Sequence, residues 1–290
     1  MPFINHKFGK TFYVKSNGSE KSGKLPIVFL HGGPGGRHDW YEPMLKMNSK
    51  RSVYLYDQIG GGQSSPTPKR LWKIETFVEE LDILIRKWKL NEFHLGGGSW
   101  GTTLALEYYM RKKPQGLRSI IFQSPYFSTR DWVSDANRLI SKMSKKDQKV
   151  FKYCAEIGAT DSKVYQESML AFYLKHVLRN KKKLNEIMAT FGSGHGGGPK
   201  IYEHMWGPSE FSPTGTLVSY EGAHQLKRVK VPTLIMCGQH DEVTPATAQK
   251  YARCVSDCEF KVLQSCSHAS ISENPKLFMK TVEDFISKHD

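Results

Sequence analysis

Long apolar runs are missing from this chain of 290 residues. None approaches the ~20 residues that a membrane-spanning helix needs. The opening Met1-Pro2-Phe3-Ile4-Asn5-His6-Lys7 lacks the apolar core of a secretory signal, so a cytoplasmic chain without a membrane partner is expected. Cysteine is also scarce. Cys154, Cys237, Cys254, Cys258 and Cys266 are odd in number and show neither Cys-x-x-Cys spacing nor a histidine pair suited to zinc. Reduced, mostly buried thiols and no metal site are the expectation, although Cys254 and Cys258 stand at a spacing of one helical turn. Blocks of like charge are absent too. The net charge is +14, yet the lysines are spread along the chain, with only short clusters such as Lys145-Lys146 and Lys181-Lys182-Lys183. With no nucleic-acid-binding signature beside them, they read as a solvated basic surface and not as a nucleic-acid site. Repeats and low-complexity segments are lacking, and the sequence specifies no oligomeric state.

What is present is an ordinary globular composition, 39% hydrophobic and 24% charged, long enough for one large α/β domain or one domain with an insertion. The chain is organised around Phe93-His94-Leu95-Gly96-Gly97-Gly98-Ser99-Trp100-Gly101, which reads Gly-x-Ser-x-Gly at 97–101. A strand-like run precedes the serine, and Thr102 to Met110 follow with helical spacing of apolar positions. That context predicts a sharp strand-to-helix turn presenting Ser99 to a cleft, with glycines where a side chain would strike neighbouring backbone.

Residues 3–15 read as one or two edge strands. Leu25-Pro26-Ile27-Val28-Phe29-Leu30 reads as a strand buried on both faces, running directly into His31-Gly32-Gly33-Pro34-Gly35-Gly36. Glycines at the carboxyl end of a buried strand let backbone N–H groups approach a ligand. The strand Ser52 to Tyr56 ends in a second glycine-rich loop, where Asp57 is expected to satisfy backbone N–H groups and not to act in catalysis. Ile74, Phe77, Val78, Leu81, Ile85 and Trp88 mark an amphipathic helix. Strands at 118–123, 231–238 and 259–263 and a closing helix through Phe278, Val282, Phe285 and Ile286 complete an alternating α/β pattern, which implies a mostly parallel sheet. Residues 126–226 differ, being helical and polar, and are expected to form an inserted helical cap. Residues 1–125 and 227–290 are expected to form the catalytic domain. The Gly192 to Pro199 run, including His195, is read as a turned loop.

Serine after an early strand, acid after a late one and histidine after the last is the chain order of the α/β-hydrolase fold. A serine hydroxyl needs a base, and imidazole needs a carboxylate on its other nitrogen. The assignment is Ser99 as nucleophile, His268 as general base and then acid, and Asp241 as orienting acid. Glu242 competes with Asp241 for that role, and the shorter acid is favoured. His31, His94 and His240 read as loop or core histidines. The loop after the first buried strand and the residue after the nucleophile, here Gly33 and Trp100, are the expected oxyanion donors.

Several motifs together resemble the prolyl aminopeptidase (proline iminopeptidase) family of serine peptidases, most closely its tricorn-interacting aminopeptidase branch. They are His31-Gly32-Gly33-Pro34-Gly35, Asp57-Gln58-x-Gly-x-Gly-x-Ser64, Gly97-Gly98-Ser99-Trp100-Gly101, Gly207-Pro208-Ser209-Glu210-Phe211, Gly238-x-x-Asp241-Glu242 and Ser267-His268. The resemblance runs essentially end to end. It implies release of an N-terminal residue, proline or a small or apolar one, from short peptides with a free N-terminus and without a cofactor. It also implies that Glu210 and Glu242 hold the substrate's ammonium, which needs opposite charge in a desolvated pocket. Ile59 and Gly61 depart from residues common in the family, so strict proline preference is not implied. A carboxylesterase or lactonase with the same triad is the alternative. A non-catalytic receptor of this fold would usually have lost a triad member.

Overall fold

The structure is a computed structural model that describes residues 2–16, 18, 23–47, 51–192 and 198–290. Among these, eight strands form one sheet: β1 (Phe3–His6), β2 (Gly9–Lys15), β3 (Ile27–Leu30), β4 (Val53–Tyr56), β5 (Phe93–Gly98), β6 (Leu117–Gln123), β7 (Thr233–Gly238) and β8 (Cys258–Leu263). Their spatial order is β1-β2-β4-β3-β5-β6-β7-β8. The β1–β2 and β2–β4 pairs are antiparallel; every later pair is parallel. From β3 the chain steps outward to β4, then returns to the other side of β3 for β5 and continues in that direction. Such a reversal opens a crevice at the strands' carboxyl ends. The two loops at this crevice are those after β3 and β5, the glycine-rich segments singled out above.

Both faces of the central strands are covered, which explains their continuous apolar runs. Val28, Leu30, Ile120, Phe122, Ile235 and Cys237 point into one buried cluster, with α1 (Ile74–Lys87) and α2 (Trp100–Lys112) packed on it. The alternate residues Ile27, Phe29, Ile121, Leu234 and Met236 point into a second cluster with Phe278, Val282 and Phe285. Period-two alternation thus feeds two cores from one sheet.

Between β6 and β7 lie α3 (Thr129–Ile140), α4 (Lys145–Ile157), α5 (Lys163–His176), α6 (Lys181–Gly192) and α7 (Gly198–Met205). Ser128 and Ser144 cap α3 and α4 through side-chain oxygens that accept from Asp131 N and Asp147 N, satisfying otherwise unpaired first-turn donors. These helices enclose a small core of their own, in which Phe151, Tyr165, Phe172 and Phe211 pack edge to face. Phe127, Trp132, Met205 and Trp206 instead join the sheet's larger cluster. After β7 come α8 (Pro245–Ala252), α9 (Ser270–Glu273) and α10 (Pro275–Ile286).

The structure adds elements that periodicity did not reveal: a 3-10 helix over His38–Lys46, and the short α8 and α9. Cys254 and Cys258 do not share a helical turn, because α8 ends at Ala252 and Cys258 opens β8. All five thiols are unpaired. His195 lies outside the described residues. Among those described, no helix is long and apolar enough to cross a membrane.

Candidate active site

Ser99 joins β5 to α2 with φ 53° and ψ −123°, a conformation a side-chain-bearing residue adopts only where its surroundings impose it. The neighbouring glycines make the turn possible. A Cβ on Gly97 would lie 2.3 Å from the Gly101 carbonyl oxygen, and one on Gly101 2.4 Å from that of Leu30. Ser99 N donates to Gln123 O at 3.0 Å, which ties the turn to β6. The side chain consequently lines a cavity of about 450 Å³ shared with Gly33, Glu210, Glu242 and His268.

His268 follows β8 and its loop is held from two sides. Its backbone N donates to His176 O at the end of α5, and its carbonyl accepts from Gln123 Nε2 at 2.8 Å. The Trp132 ring meets the imidazole edge-on at 5.7 Å. His268 Nδ1 lies 2.8 Å from Asp241 Oδ1. Asp241 is buried and accepts from Val243 N, Gly238 N and Ser124 Oγ at 3.0, 3.0 and 2.5 Å. A carboxylate so surrounded by donors is an acceptor toward His268, so Nδ1 carries the proton and Nε2 is left as the base. Glu242 Oε1 also approaches Nδ1, at 3.5 Å, but Asp241 has the closer contact. Burial alone would lower the imidazole's pKa. The charges of Asp241, Glu242 and Glu210 outweigh burial and push it up to about 9.

Glu210 lies beyond α7 in the segment inserted between β6 and β7, and Glu242 follows β7; both reach the same cavity. Glu210 Oε2 accepts from Tyr173 Oη at 3.3 Å and from Tyr202 Oη. Burial raises its carboxyl above the usual range against the pull of these hydroxyls and of His268. Burial raises Glu242 likewise, and Glu210 and Asp241 add to the effect. Among the described lining residues His268 is the one group that can carry positive charge against these two carboxylates, so a second cation entering the pocket would be stabilised there.

The loop after β3 places Gly32 and Gly33 on the cavity wall. A Cβ on Gly32 would stand 3.2 Å from Ser99 Cβ, so this backbone runs directly against the serine. Trp100 is the first residue of α2, whose first-turn N–H groups have no partner within the helix. Asp57 proves to be a loop-holding acid: its carboxylate accepts from His38 N, His38 Nδ1 and Gln63 N at 2.7, 2.8 and 2.8 Å. His31 and His94 are buried and hydrogen-bonded, His31 to Gln58 N and His94 to Ser119 Oγ. Sequence reading missed Tyr173, Tyr202, Ser124 and Gln123. The two tyrosines lie on α5 and α7, 37 and 8 positions from Glu210, and no local pattern ties them to it. Ser124 was visible only as the end of a strand.

Comparison with known proteins bears on this constellation. A family described as having the α/β hydrolase fold matches residues 26–275. The chain is 35% identical to a proline iminopeptidase of Heyndrickxia coagulans, over 98% of each chain. The crystal structure of VinJ superimposes with a TM-score of 0.91 and 31% identity, covering 99% of this chain and 98% of the other. That of a proline iminopeptidase from Mycobacterium smegmatis gives 0.88 and 26%, covering 99% and 97%.

Proposed function

The chain belongs to the proline iminopeptidase family within the α/β-hydrolase fold, and from that premise we propose that Ser99, His268 and Asp241 form the catalytic triad of a serine aminopeptidase. The observation that carries the reading is one cavity holding a strained serine, an imidazole bonded to a buried acid, and two further carboxylates. A simple esterase has no use for the last pair.

Peptide enters amino end first, and its ammonium settles between Glu210 and Glu242. Ser99 Oγ attacks the first carbonyl carbon while His268 Nε2 takes the hydroxyl proton, and Asp241 holds the resulting imidazolium. The oxyanion accepts from the backbone N–H groups of Gly33 and Trp100. Collapse passes the proton from His268 to the departing amine and leaves an acyl-enzyme. Water, deprotonated by the same imidazole, then releases the amino acid and restores Ser99. Residues 126–226 serve as a cap on a catalytic domain of 1–125 and 227–290; the separate core around Phe151 and Phe172 supports that division. A cytoplasmic place of action accords with five unpaired thiols.

The test is hydrolysis of proline, alanine, leucine and phenylalanine arylamides beside their N-acetylated counterparts, with Ser99→Ala as control. Cleavage of free-amine substrates alone, lost in Ser99→Ala, is expected. Cleavage of simple esters with no release from any arylamide would move the assignment to an esterase or lactonase and leave Glu210 and Glu242 without a substrate role.

A further inference from the structure

Gln58 takes no part in the chemistry above, yet it is 1% exposed and its side chain bonds to the Trp100 indole on one arm of the oxyanion site and to the His31 backbone on the other. Its Oε1 accepts from the Trp100 indole N–H at 2.9 Å, and its Nε2 donates to the His31 carbonyl at 3.1 Å. One partner only donates and the other only accepts, so the amide has a single orientation. Its backbone N–H donates to His31 Nε2 at 3.0 Å. That bond makes Nε2 the acceptor and puts the ring proton on Nδ1, which donates to the Gly32 carbonyl at 2.8 Å. Burial holds this imidazole's pKa below its ordinary value, in keeping with the neutral form.

The consequence lies in the next peptide bond. Gly32–Gly33 is trans, so its C=O and N–H point in opposite directions across one rigid plane. Clamping the Gly32 carbonyl on the His31 side therefore aims the Gly33 N–H the other way. The far end of the same loop is held by Asp57, through His38 N and Nδ1. The gripping segment is itself anchored, because Ile59 N donates to both oxygens of buried Glu80 at 3.0 Å. Gly61 lies against the other loop: a Cβ there would stand 3.3 Å from Gly36 O.

We propose that Gln58 is the positioning residue of the oxyanion hole, joining the Trp100 arm to the His31–Gly33 arm and, through His31, aiming the Gly33 N–H. The inference rests on Gly33 and Trp100 being the oxyanion donors. Gln58 touches neither substrate nor Ser99, so its removal misplaces donors without removing them. A displaced catalytic group loses up to ~100-fold in rate, and a deleted oxyanion donor about 10²- to 10³-fold.

The experiment compares Gln58→Met with the parent enzyme, reading kcat and KM on a free-amine arylamide. It also reads the affinity of an amino-acid aldehyde, whose adduct with Ser99 carries an oxyanion, and of the free amino acid product, which has none. Gln58→Met is expected to lower kcat by about 10- to 100-fold, to leave KM and product affinity within about twofold, and to weaken the aldehyde by the same factor as kcat. Trp100→Phe deletes the indole donor from the other side of the link. It should give the same pattern, with the double variant no worse than the poorer single one, and it carries the test if Gln58→Met does not fold. Unchanged kcat, or equal losses of aldehyde and product affinity, would overturn the positioning role. If the aldehyde fails to inhibit the parent enzyme, the serine mechanism itself falls, and the inference with it.

Discussion

Replacing Glu242 by glutamine should move two activities in opposite directions. Its Oε1 stands 3.5 Å from His268 Nδ1 and is one of three carboxylates that lift the imidazole from 6.5 to about 9. An opposing charge this close favours the protonated imidazole, so removing it lowers the His268 pKa. Below its pKa His268 is protonated and cannot take the Ser99 proton, so kcat/KM for an uncharged ester rises with pH along the neutral fraction of the free enzyme. Glu242→Gln lowers that midpoint and so raises the neutral fraction at pH 7, about tenfold for each pH unit the midpoint moves. Ester hydrolysis at pH 7 is therefore expected to quicken. A free-amine arylamide loses one of its two anionic partners. A charge-assisted hydrogen bond of about 1.5–3 kcal/mol converts to a KM raised ~10- to 100-fold. The assay is kcat/KM from pH 5.5 to 9.5 on 4-nitrophenyl acetate and on alanine 4-nitroanilide, parent and variant side by side. An ester midpoint that does not move would show that Glu242 faces His268 uncharged, and parallel losses on both substrates would refute the division of roles.

Glu210→Gln, farther from the imidazole, should raise KM for free-amine substrates far more than for the ester; equal effects on both would remove its recognition role. Asp241→Asn should lower kcat by about 10⁴-fold, because the amide forces the wrong tautomer on His268, while thermal unfolding confirms a folded protein; retained activity would shift the orienting role to Glu242. Gly98→Ala would place a Cβ 1.7 Å from Tyr41 Oη and 2.3 Å from Gln123 Oε1, overpacking that costs about 1–3 kcal/mol. Its Tm should fall by several degrees, and an unchanged Tm would mean that Tyr41 yields freely.

Chemistry that lies within a few residues was legible in the chain. The turn at Ser99 could be read because Gly97 and Gly101 are needed by contacts with Leu30 and with each other, and such sterics leave their mark in the sequence itself. The parallel sheet was legible because strands buried on both faces require unbroken apolar runs, as at Ile27–Leu30. The order serine, acid, histidine followed from loops at successive strand ends. α8 was hidden because its buried face is only Ala248, Tyr251 and Ala252, with a single large side chain among them.

What the chain could not state is how distant loops meet. Asp241 lies closer to His268 Nδ1 than Glu242 does, 2.8 against 3.5 Å, a difference set by where the loops after β7 and β8 pack. Tyr173 and Tyr202 reach Glu210 only because α5 and α7 come together at the segment that carries it. The end of α5 also holds the loop after β8, through the bonds from His268 N and Ala269 N. Gln58 could be quoted as part of a motif, but its grip on His31 and Trp100 exists only once β3, β4 and β5 lie side by side. Sequence determined which groups were available and in what order. Packing decided which of them share a charge, a proton or a direction, because those depend on ångström distances between residues far apart in the chain.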